Sequence, residues 1–177
     1  MKLILRKMFY FFLFSATCLS TNIYAKQVVN LNDIKSWKEV GKGSYVFLFK
    51  TRFKATLKSP TLNYKYPSSE AAISIRYLQS FTKQDLIEAT SRSWRRMGES
   101  PSFIANGEKV LSKIYPNVKE NDVITFVYQP GNSLFFLNRK KIGMIKDNNF
   151  SKKFLGIWLS ENSTATRLRR SLLKNAQ

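Results

Sequence analysis

Stretches in which apolar and polar residues alternate predict several β-strands in this chain. The stretch from Gly43 to Leu57 is rich in aromatic and β-branched residues, and it predicts either two strands or one long bent strand. A second clear strand runs from Ala71 to Leu78. Nearer the C-terminus, Asp122–Gln129 and Ser133–Asn138 flank a Pro-Gly-Asn turn, which predicts a β-hairpin, and Lys141–Ile145 follows as a third strand.

Apolar residues spaced three or four apart predict four helices between and after these strands. The first should begin after Thr82, because Asp85 follows three positions later in the arrangement typical of a helix N-terminus. A second should begin after Pro101, and two more are predicted at Asn149–Leu159 and Ala165–Asn175. Strands and helices that come in separate runs predict an α+β domain with an antiparallel sheet.

The N-terminus has the three-part pattern of a secretory signal. Lys2, Arg6 and Lys7 precede the largely apolar run Met8–Leu19, and a polar stretch then ends at Ala25. A membrane anchor is the alternative, but a run of about twelve residues makes only about 18 Å of helix, short of the roughly 30 Å hydrocarbon core. We therefore predict a cleavable signal peptide at residues 1–25 and one domain at residues 26–177.

The net charge of the predicted domain is strongly positive. The whole chain has 30 basic and 11 acidic residues, and removing residues 1–25 takes three basic residues and no acidic ones, so the charge falls from +19 to +16. Such a charge favours anionic partners, including lipid head groups and acidic envelope polymers. Export disfavours nucleic acid as the partner. A charge of this size is also found on proteins whose surface lysines serve only solubility.

The cysteine and histidine content excludes several classes of chemistry. The one cysteine, Cys18, lies in the predicted signal, and the chain has no histidine. A Ser-His or Cys-His nucleophile and a zinc site built on imidazole or sulfur are therefore excluded from the predicted domain. No glycine-rich phosphate loop or run of metal ligands occurs either, so we expect no cofactor and no metal.

Four motifs, in order along the chain, resemble the bacterial chalcone isomerase-like family of exported proteins. They are Gly41-Lys42-Gly43 with Phe49-Lys50, Ile75-Arg76-Tyr77-Leu78, Val127-Tyr128-Gln129-Pro130-Gly131, and Phe154-Leu155-Gly156-Ile157-Trp158-Leu159. The match extends from Ser36 to Lys174. The resemblance implies a curved antiparallel sheet covered on one face by helices, a ligand cleft between sheet and helices, and a periplasmic location.

Plant chalcone isomerases close a flavanone ring with an arginine, a threonine, a tyrosine and an asparagine. In this chain the corresponding places fall at Tyr45, Lys50, Asp85 and Arg92, so none of the four residue types is kept. Asp85 could act as a base only if burial raised its pKa, and its place near a helix N-terminus favours a stable carboxylate instead. The resemblance therefore disfavours ring closure.

Arg76 is the first candidate for a ligand-binding residue. It lies on a strand whose other residues, such as Ile75 and Tyr77, are largely apolar, and a guanidinium there must be paired or solvated. A ligand carboxylate would satisfy it, and fatty-acid-binding members of the wider fold imply such a ligand. The alternative is an internal salt bridge or exposure on a helix-free face. Lys50 and Tyr45 could add a second cation and a hydroxyl donor, unless they are surface residues.

Three functions follow from these observations. The first is an exported, non-catalytic domain that binds a small apolar anion such as a fatty acid near Arg76. The second is an isomerase, an intramolecular lyase in which Lys50 and Arg76 stabilise an oxyanion. The third is a basic protein that binds an anionic envelope surface through its charge. The sequence does not decide the oligomeric state.

Overall fold

The computed structural model describes residues 31–176, and the predicted signal peptide lies outside them. Within this part of the chain, no helix combines the length and the apolar character needed to cross a membrane. The described residues form six strands and five helices, in the order one helix, three strands, two helices, three strands and two helices.

The six strands form one open, curved antiparallel sheet in which neighbours in sequence are neighbours in space. They are β1 (Lys38–Phe47), β2 (Lys50–Ser59), β3 (Ala71–Tyr77), β4 (Val123–Tyr128), β5 (Ser133–Leu137) and β6 (Lys140–Ile145). The stretch from Gly43 to Leu57 is thus two strands, which turn at Leu48 and Phe49. The predicted α+β fold with an antiparallel sheet is confirmed.

The five helices agree with the predicted ones, with one addition at the start. They are α1 (Leu31–Ser36), α2 (Lys83–Arg96), α3 (Pro101–Ile114), α4 (Asn148–Leu159) and α5 (Thr166–Leu172). The last helix ends at Leu172, three residues before the predicted end at Asn175.

Alternation along β3 separates the two faces of the sheet. Ile73 pairs with Phe126 and Ile75 with Ile124, and all four side chains are buried in the main core beneath α2 to α5. We call this side the helix face. Arg76 points to the other side, which we call the outer face, where Lys54 of β2 is its neighbour in register.

Aromatic rings fill the centre of the space between sheet and helices. Phe154 of α4 packs against Phe126 and Phe135 of the sheet, with ring centroids 4.8 and 5.0 Å apart, and against Trp158 at 5.3 Å. Trp94 of α2 is fully buried and contacts the same cluster. Edge-to-face contacts of this kind stabilise the packing beyond the burial of area alone.

Helix α1 covers part of the outer face, so helices are not confined to one side of the sheet. Its buried Ile34 packs in a small second core that includes Val127 of β4 and Phe136 of β5. Trp37, just after the helix, packs against the same cluster. The larger helical layer still lies on the helix face, as predicted.

Local side chains cap the N-termini of α2, α3 and α4. The Thr82 side chain accepts a hydrogen bond from the backbone N–H of Asp85, and the Asp85 carboxylate accepts one from the Thr82 N–H, which makes a complete capping box. Ser100 and Asp147 cap α3 and α4 in the simpler one-way manner. The predicted start of the first long helix after Thr82 is confirmed.

Gly107 in α3 generates the first testable prediction, since a methyl group there would overlap the six-membered ring of Trp94. Alanine is the better helix former by about 1 kcal/mol, but crowding a packed core costs about 1–3 kcal/mol. We therefore expect Gly107→Ala to lower the free energy of unfolding, measured by urea titration of the fluorescence signal.

Asn106→Ala is the matched control, because Asn106 is the exposed neighbour of Gly107 in the same helix. It should raise stability by a few tenths of a kcal/mol, about the difference in helix propensity. If Gly107→Ala stabilised the protein as much as this control, the close contact between α2 and α3 would be wrong.

The capping box gives a second prediction, on pH. Thr82 donates two hydrogen bonds to the Asp85 carboxylate, and they hold the pKa of that carboxyl below its ordinary value of 3.8. The bond from the Thr82 hydroxyl has the larger effect, and the bond from the Thr82 backbone N–H has the smaller one. The stabilisation is therefore complete above about pH 4 and is lost as the pH falls through the lowered pKa of the folded state. Thr82→Ala should raise the pKa of Asp85, as measured by NMR titration of its carboxyl carbon.

The carboxyl of Asp122 serves as the internal reference in the same titration. Its pKa is lowered by the backbone N–H of Lys119 and the Asn138 amide, neither of which contacts Thr82. It should not move in Thr82→Ala. Equal shifts of both carboxyls would indicate a global change of the fold instead of the loss of one hydrogen bond.

Candidate ligand-binding site

The structure places Arg76 on the outer face of the sheet. Its side chain is exposed, and the guanidinium Nη1 lies 3.4 Å from the carbonyl oxygen of Asn121. Arg76 thus faces away from the space between sheet and helices, where the ligand cleft was expected. A ligand held by Arg76 would lie on the outer face.

Tyr45 and Lys50 lie in different surroundings from Arg76 and from each other. Tyr45 is half-buried on the helix face and stacks on Phe53, with ring centroids 5.0 Å apart. Lys50 is exposed at the start of β2, where it pairs with Phe47 next to the turn. The three residues therefore do not form one site, and a role for any of them in ligand binding stays a prediction.

Arg76 does belong to a cavity on the outer face, of about 390 Å³. We call it the basic groove, and its polar lining residues are Lys42, Ser44, Lys54, Thr56, Ser74 and Arg76. No carboxylate is among the residues that line it. The groove thus combines three cations with three hydroxyl groups, which suits an exposed anionic group better than an apolar chain.

A second cavity, of about 410 Å³, lies between α5, the end of α4 and the loop that joins β2 to β3. We call it the α5 cavity, and it is lined by Tyr64, Tyr66, Leu159, Glu161, Asn162, Arg169, Leu173 and Ala176. Its volume falls within the range of small-molecule sites, roughly 300–1,000 Å³. Apolar and hydrogen-bonding side chains are mixed along its wall.

Arg169 is held in place at the α5 cavity by a hydrogen bond. Its Nε donates to the carbonyl oxygen of Leu159 at 3.0 Å, and that carbonyl belongs to the last turn of α4, where helix carbonyls lack a partner within the helix. One edge of the guanidinium is thereby fixed, although the side chain is only half-buried. The remaining N–H groups of a guanidinium can form a two-pronged bond to a carboxylate.

Tyr64 also lines this cavity, and its hydroxyl group is buried. Its side chain is only 4% exposed, and its hydroxyl has no hydrogen-bond partner among the described residues. The pKa of Tyr64 is raised, mainly by burial and to a smaller extent by the neighbouring Tyr66 and Tyr128. This hydroxyl therefore stays protonated at neutral pH. An unpaired buried hydroxyl costs about 1–3 kcal/mol, and an acceptor atom from a ligand would recover part of that cost.

Tyr66 connects the loop to α4. Its hydroxyl donates to the carbonyl oxygen of Lys152 at 3.1 Å, and a cis peptide bond joins it to Pro67. Burial and then Glu99 raise the pKa of Tyr66. The loop thus contains two tyrosines whose hydroxyl groups stay protonated at neutral pH and can donate hydrogen bonds.

Asp85 and Arg92, which stand at two of the four places of the plant catalytic residues, both lie on the surface of α2. Asp85 is an exposed member of the capping box, with its pKa lowered by Thr82, and Arg92 is exposed on α2. The expectation of a stable carboxylate at Asp85 therefore agrees with the structure. Within the described residues, no group of three or more possible metal-ligating side chains lies together.

The pattern of the sequence alone did not single out Arg169 or Tyr64. Arg169 is one of three arginines in α5, and its residue type does not distinguish it from Arg167 and Arg170. A signal was present, since Arg169 stands four positions before Leu173 and thus on the same side of the helix, and both residues line the α5 cavity. For Tyr64, in a loop far away in sequence, no such periodic signal exists.

Comparisons with known proteins agree with this architecture. A curated relative from Haemophilus influenzae, an uncharacterized protein, is 24% identical over 141 residues, which cover 77% of this chain and 68% of the relative. The crystal structure of a fatty-acid binding protein from Arabidopsis thaliana matches with a TM-score of 0.61 at 14% identity, covering 80% of this chain and 88% of that one. At that identity the structural likeness establishes the fold alone.

The family of this chain is established by comparison with a whole protein family, not with a single relative. The sequence model described as chalcone isomerase-like matches residues 54–174, which include β3 to β6 and helices α2 to α5. The match covers more than half of the chain and includes three of the four sequence motifs, and the resemblance to this family is thereby confirmed. The chain belongs to the chalcone isomerase-like family.

Proposed function

We propose that this domain binds a small apolar acid, such as a fatty acid, and releases it unchanged. The fold supports this proposal, because a solved protein of similar architecture is a fatty-acid binding protein. The observation that carries it is the buried Tyr64 hydroxyl without a partner among the described residues, in a cavity that Arg169 also lines. We place the acid group of the ligand in this α5 cavity.

The chemistry of the cavity wall fits such a ligand. A carboxylate accepts hydrogen bonds from the Arg169 guanidinium and from the Tyr64 hydroxyl, and the apolar part of the ligand packs against Leu159 and Leu173. Glu161 also lines the cavity and repels an anion, but it is exposed, so water screens that repulsion.

The titratable side chains that line the cavity favour binding without catalysis, because the carboxylate among them, Glu161, is exposed to water and the others are two tyrosines and an arginine. General acid–base catalysis is most efficient when the pKa of the catalytic group lies near the working pH, about 7 here. The pKa values of Tyr64 and Tyr66 are raised, so both remain protonated, and the chain has no histidine. Asp85 is exposed in its capping box, away from the residues that line the cavity.

The basic groove is the second candidate for the place of the acid group. It contains Arg76, the first choice from the sequence, together with Lys42 and Lys54. Its cations are exposed, and none of its lining residues has a buried side-chain polar atom that lacks a hydrogen-bond partner. Water weakens the attraction of exposed cations for an anion, so we place the acid group in the α5 cavity, where Arg169 is half-buried and the Tyr64 hydroxyl is unpaired.

Export to the periplasm is part of the proposal, and it rests on the N-terminal pattern. We expect the protein isolated from its own cells to begin at Lys26, because the predicted signal ends at Ala25. Intact-mass measurement after separation of periplasm from cytoplasm checks this directly. A full-length chain in the cytoplasmic fraction would contradict both predictions, the cleaved signal peptide and the periplasmic location.

The ligand proposal is tested by binding of octanoic, lauric and palmitic acid, measured by calorimetry on protein stripped of bound lipid. Arg169→Gln should weaken binding by about 10- to 100-fold, the worth of a charged hydrogen bond. Tyr64→Phe should also weaken binding, and it should raise the melting temperature of the empty protein, because it removes the unpaired hydroxyl.

Arg170→Gln is the matched control, since it removes the same charge from an exposed position on the same helix. It should leave binding unchanged. Arg76→Gln separates the two cavities, because loss of binding in this variant alone would move the ligand to the basic groove. Unchanged binding in Arg169→Gln, Tyr64→Phe and Arg76→Gln would remove the proposed function.

A further inference from the structure

The turn between β1 and β2 exposes four apolar residues in a row. Val46, Phe47, Leu48 and Phe49, which we call the hairpin tip, are 57%, 50%, 70% and 102% exposed. Among the described residues, Met144 is the other large apolar side chain with comparable exposure, at 44%. A contiguous apolar patch of this kind on a small domain marks an interaction surface more often than an isolated exposed residue does.

The backbone of the hairpin tip is also unfavourable for its residues. Leu48 and Phe49 have positive φ angles of 49° and 60°. Two successive residues with positive φ suit Asn-Gly, and side chains such as those of leucine and phenylalanine disfavour this conformation. The hairpin tip thus combines exposed apolar side chains with a backbone conformation that costs free energy. Neither feature stabilises the folded domain, which favours a role in binding.

Positive charge lies beside the hairpin tip. Between residues 43 and 57 the hairpin contains no Asp or Glu, and its cations are Lys50, Arg52 and Lys54. The acidic residue of the hairpin, Glu39, lies at the far end, where it pairs with Lys42. The Arg52 guanidinium lies over the Phe47 ring, 5.7 Å from its centroid. Lys42 and Lys54 line the basic groove, which extends the positive surface along the outer face.

We propose that the hairpin tip inserts into an anionic lipid bilayer, with the cations of the hairpin contacting the lipid head groups. Apolar side chains beside lysine and arginine match the boundary between acyl chains and anionic head groups. Four residues reach only the interfacial layer of the bilayer and do not span it. This surface goes beyond the proposed ligand binding, because it shares no lining residue with the α5 cavity.

Charge complementarity favours a lipid surface over a second copy of this chain. Two copies that met tip to tip would bring their lysines and arginines together without an acidic residue between them. A bilayer that contains phosphatidylglycerol offers both the negative charge and the apolar interior. Self-association is therefore an outcome of the test that would overturn the proposal.

The test replaces the tip with residues that suit its backbone. The double variant Leu48→Asn/Phe49→Gly should raise the melting temperature, because it removes the positive-φ penalty. Its partitioning onto vesicles of phosphatidylglycerol and phosphatidylethanolamine should fall by at least about tenfold, as expected when an aromatic side chain is withdrawn from an apolar phase. Flotation of the protein purified from its own cells measures the partitioning.

Two controls distinguish insertion of the hairpin tip from nonspecific adsorption of the protein to vesicles. Met144→Asn removes an exposed apolar side chain from β6, at the opposite edge of the sheet, and should leave partitioning unchanged. Vesicles of phosphatidylcholine alone should bind weakly, and binding to the anionic vesicles should weaken as salt is raised. All variants share one N-terminus, so any lipid affinity of that segment is common to them.

A fluorescent reporter makes the readout specific to the tip. Phe49→Trp adds an indole to the three native tryptophans, whose signal is subtracted with the wild-type protein. On anionic vesicles its emission should shift to the blue and be quenched by brominated acyl chains. An unshifted, unquenched indole, unchanged partitioning of the double variant, or a dimer that dissociates in that variant without vesicle binding would each overturn the proposal.

Discussion

The domain depends on how Phe154 and Trp94 fill the space between the sheet and the helices. Phe154 contacts two rings of the sheet, and Trp94 leaves no room for a side chain at Gly107 on the next helix. This close packing fixes α2, α3 and α4 over β4 and β5. None of these rings lines the α5 cavity or the basic groove, so both cavities lie at the margins of the packed centre. The core thus sets where a ligand can be held.

Much of the fold could be predicted from the sequence because local signals agreed with the final packing. Thr82 and Asp85 mark the start of α2 in the sequence and form its capping box in the structure. The alternation of β3 separates Ile75 from Arg76 correctly. The expected place of Arg76 in a cleft beneath the helices followed from the family resemblance, whereas the period of the strand already places it opposite the apolar face. For the position of Arg76, the two-residue period of the strand gave the more accurate prediction.

The α5 cavity could not be predicted, because it forms where distant parts of the chain meet. Tyr64 lies in the loop after β2, and Arg169 lies more than a hundred residues later on α5. Their proximity depends on the packing of α5 against β1, where a Cβ at Gly41 would overlap the backbone at Ser171. A single sequence contains no pairing signal for such contacts. The turn at Leu48 and Phe49 was left open for a related reason, since those residues have none of the usual turn chemistry.

The two proposed surfaces lie at opposite ends of one strand. The hairpin tip precedes β2, and the loop with Tyr64 follows it, so the ten residues of β2 separate them by about 30 Å. A domain bound to a bilayer by the tip would therefore hold the α5 cavity away from the lipid surface and open to the surrounding water. An acid in that cavity would exchange through the aqueous phase, and the two activities would not compete for the same residues.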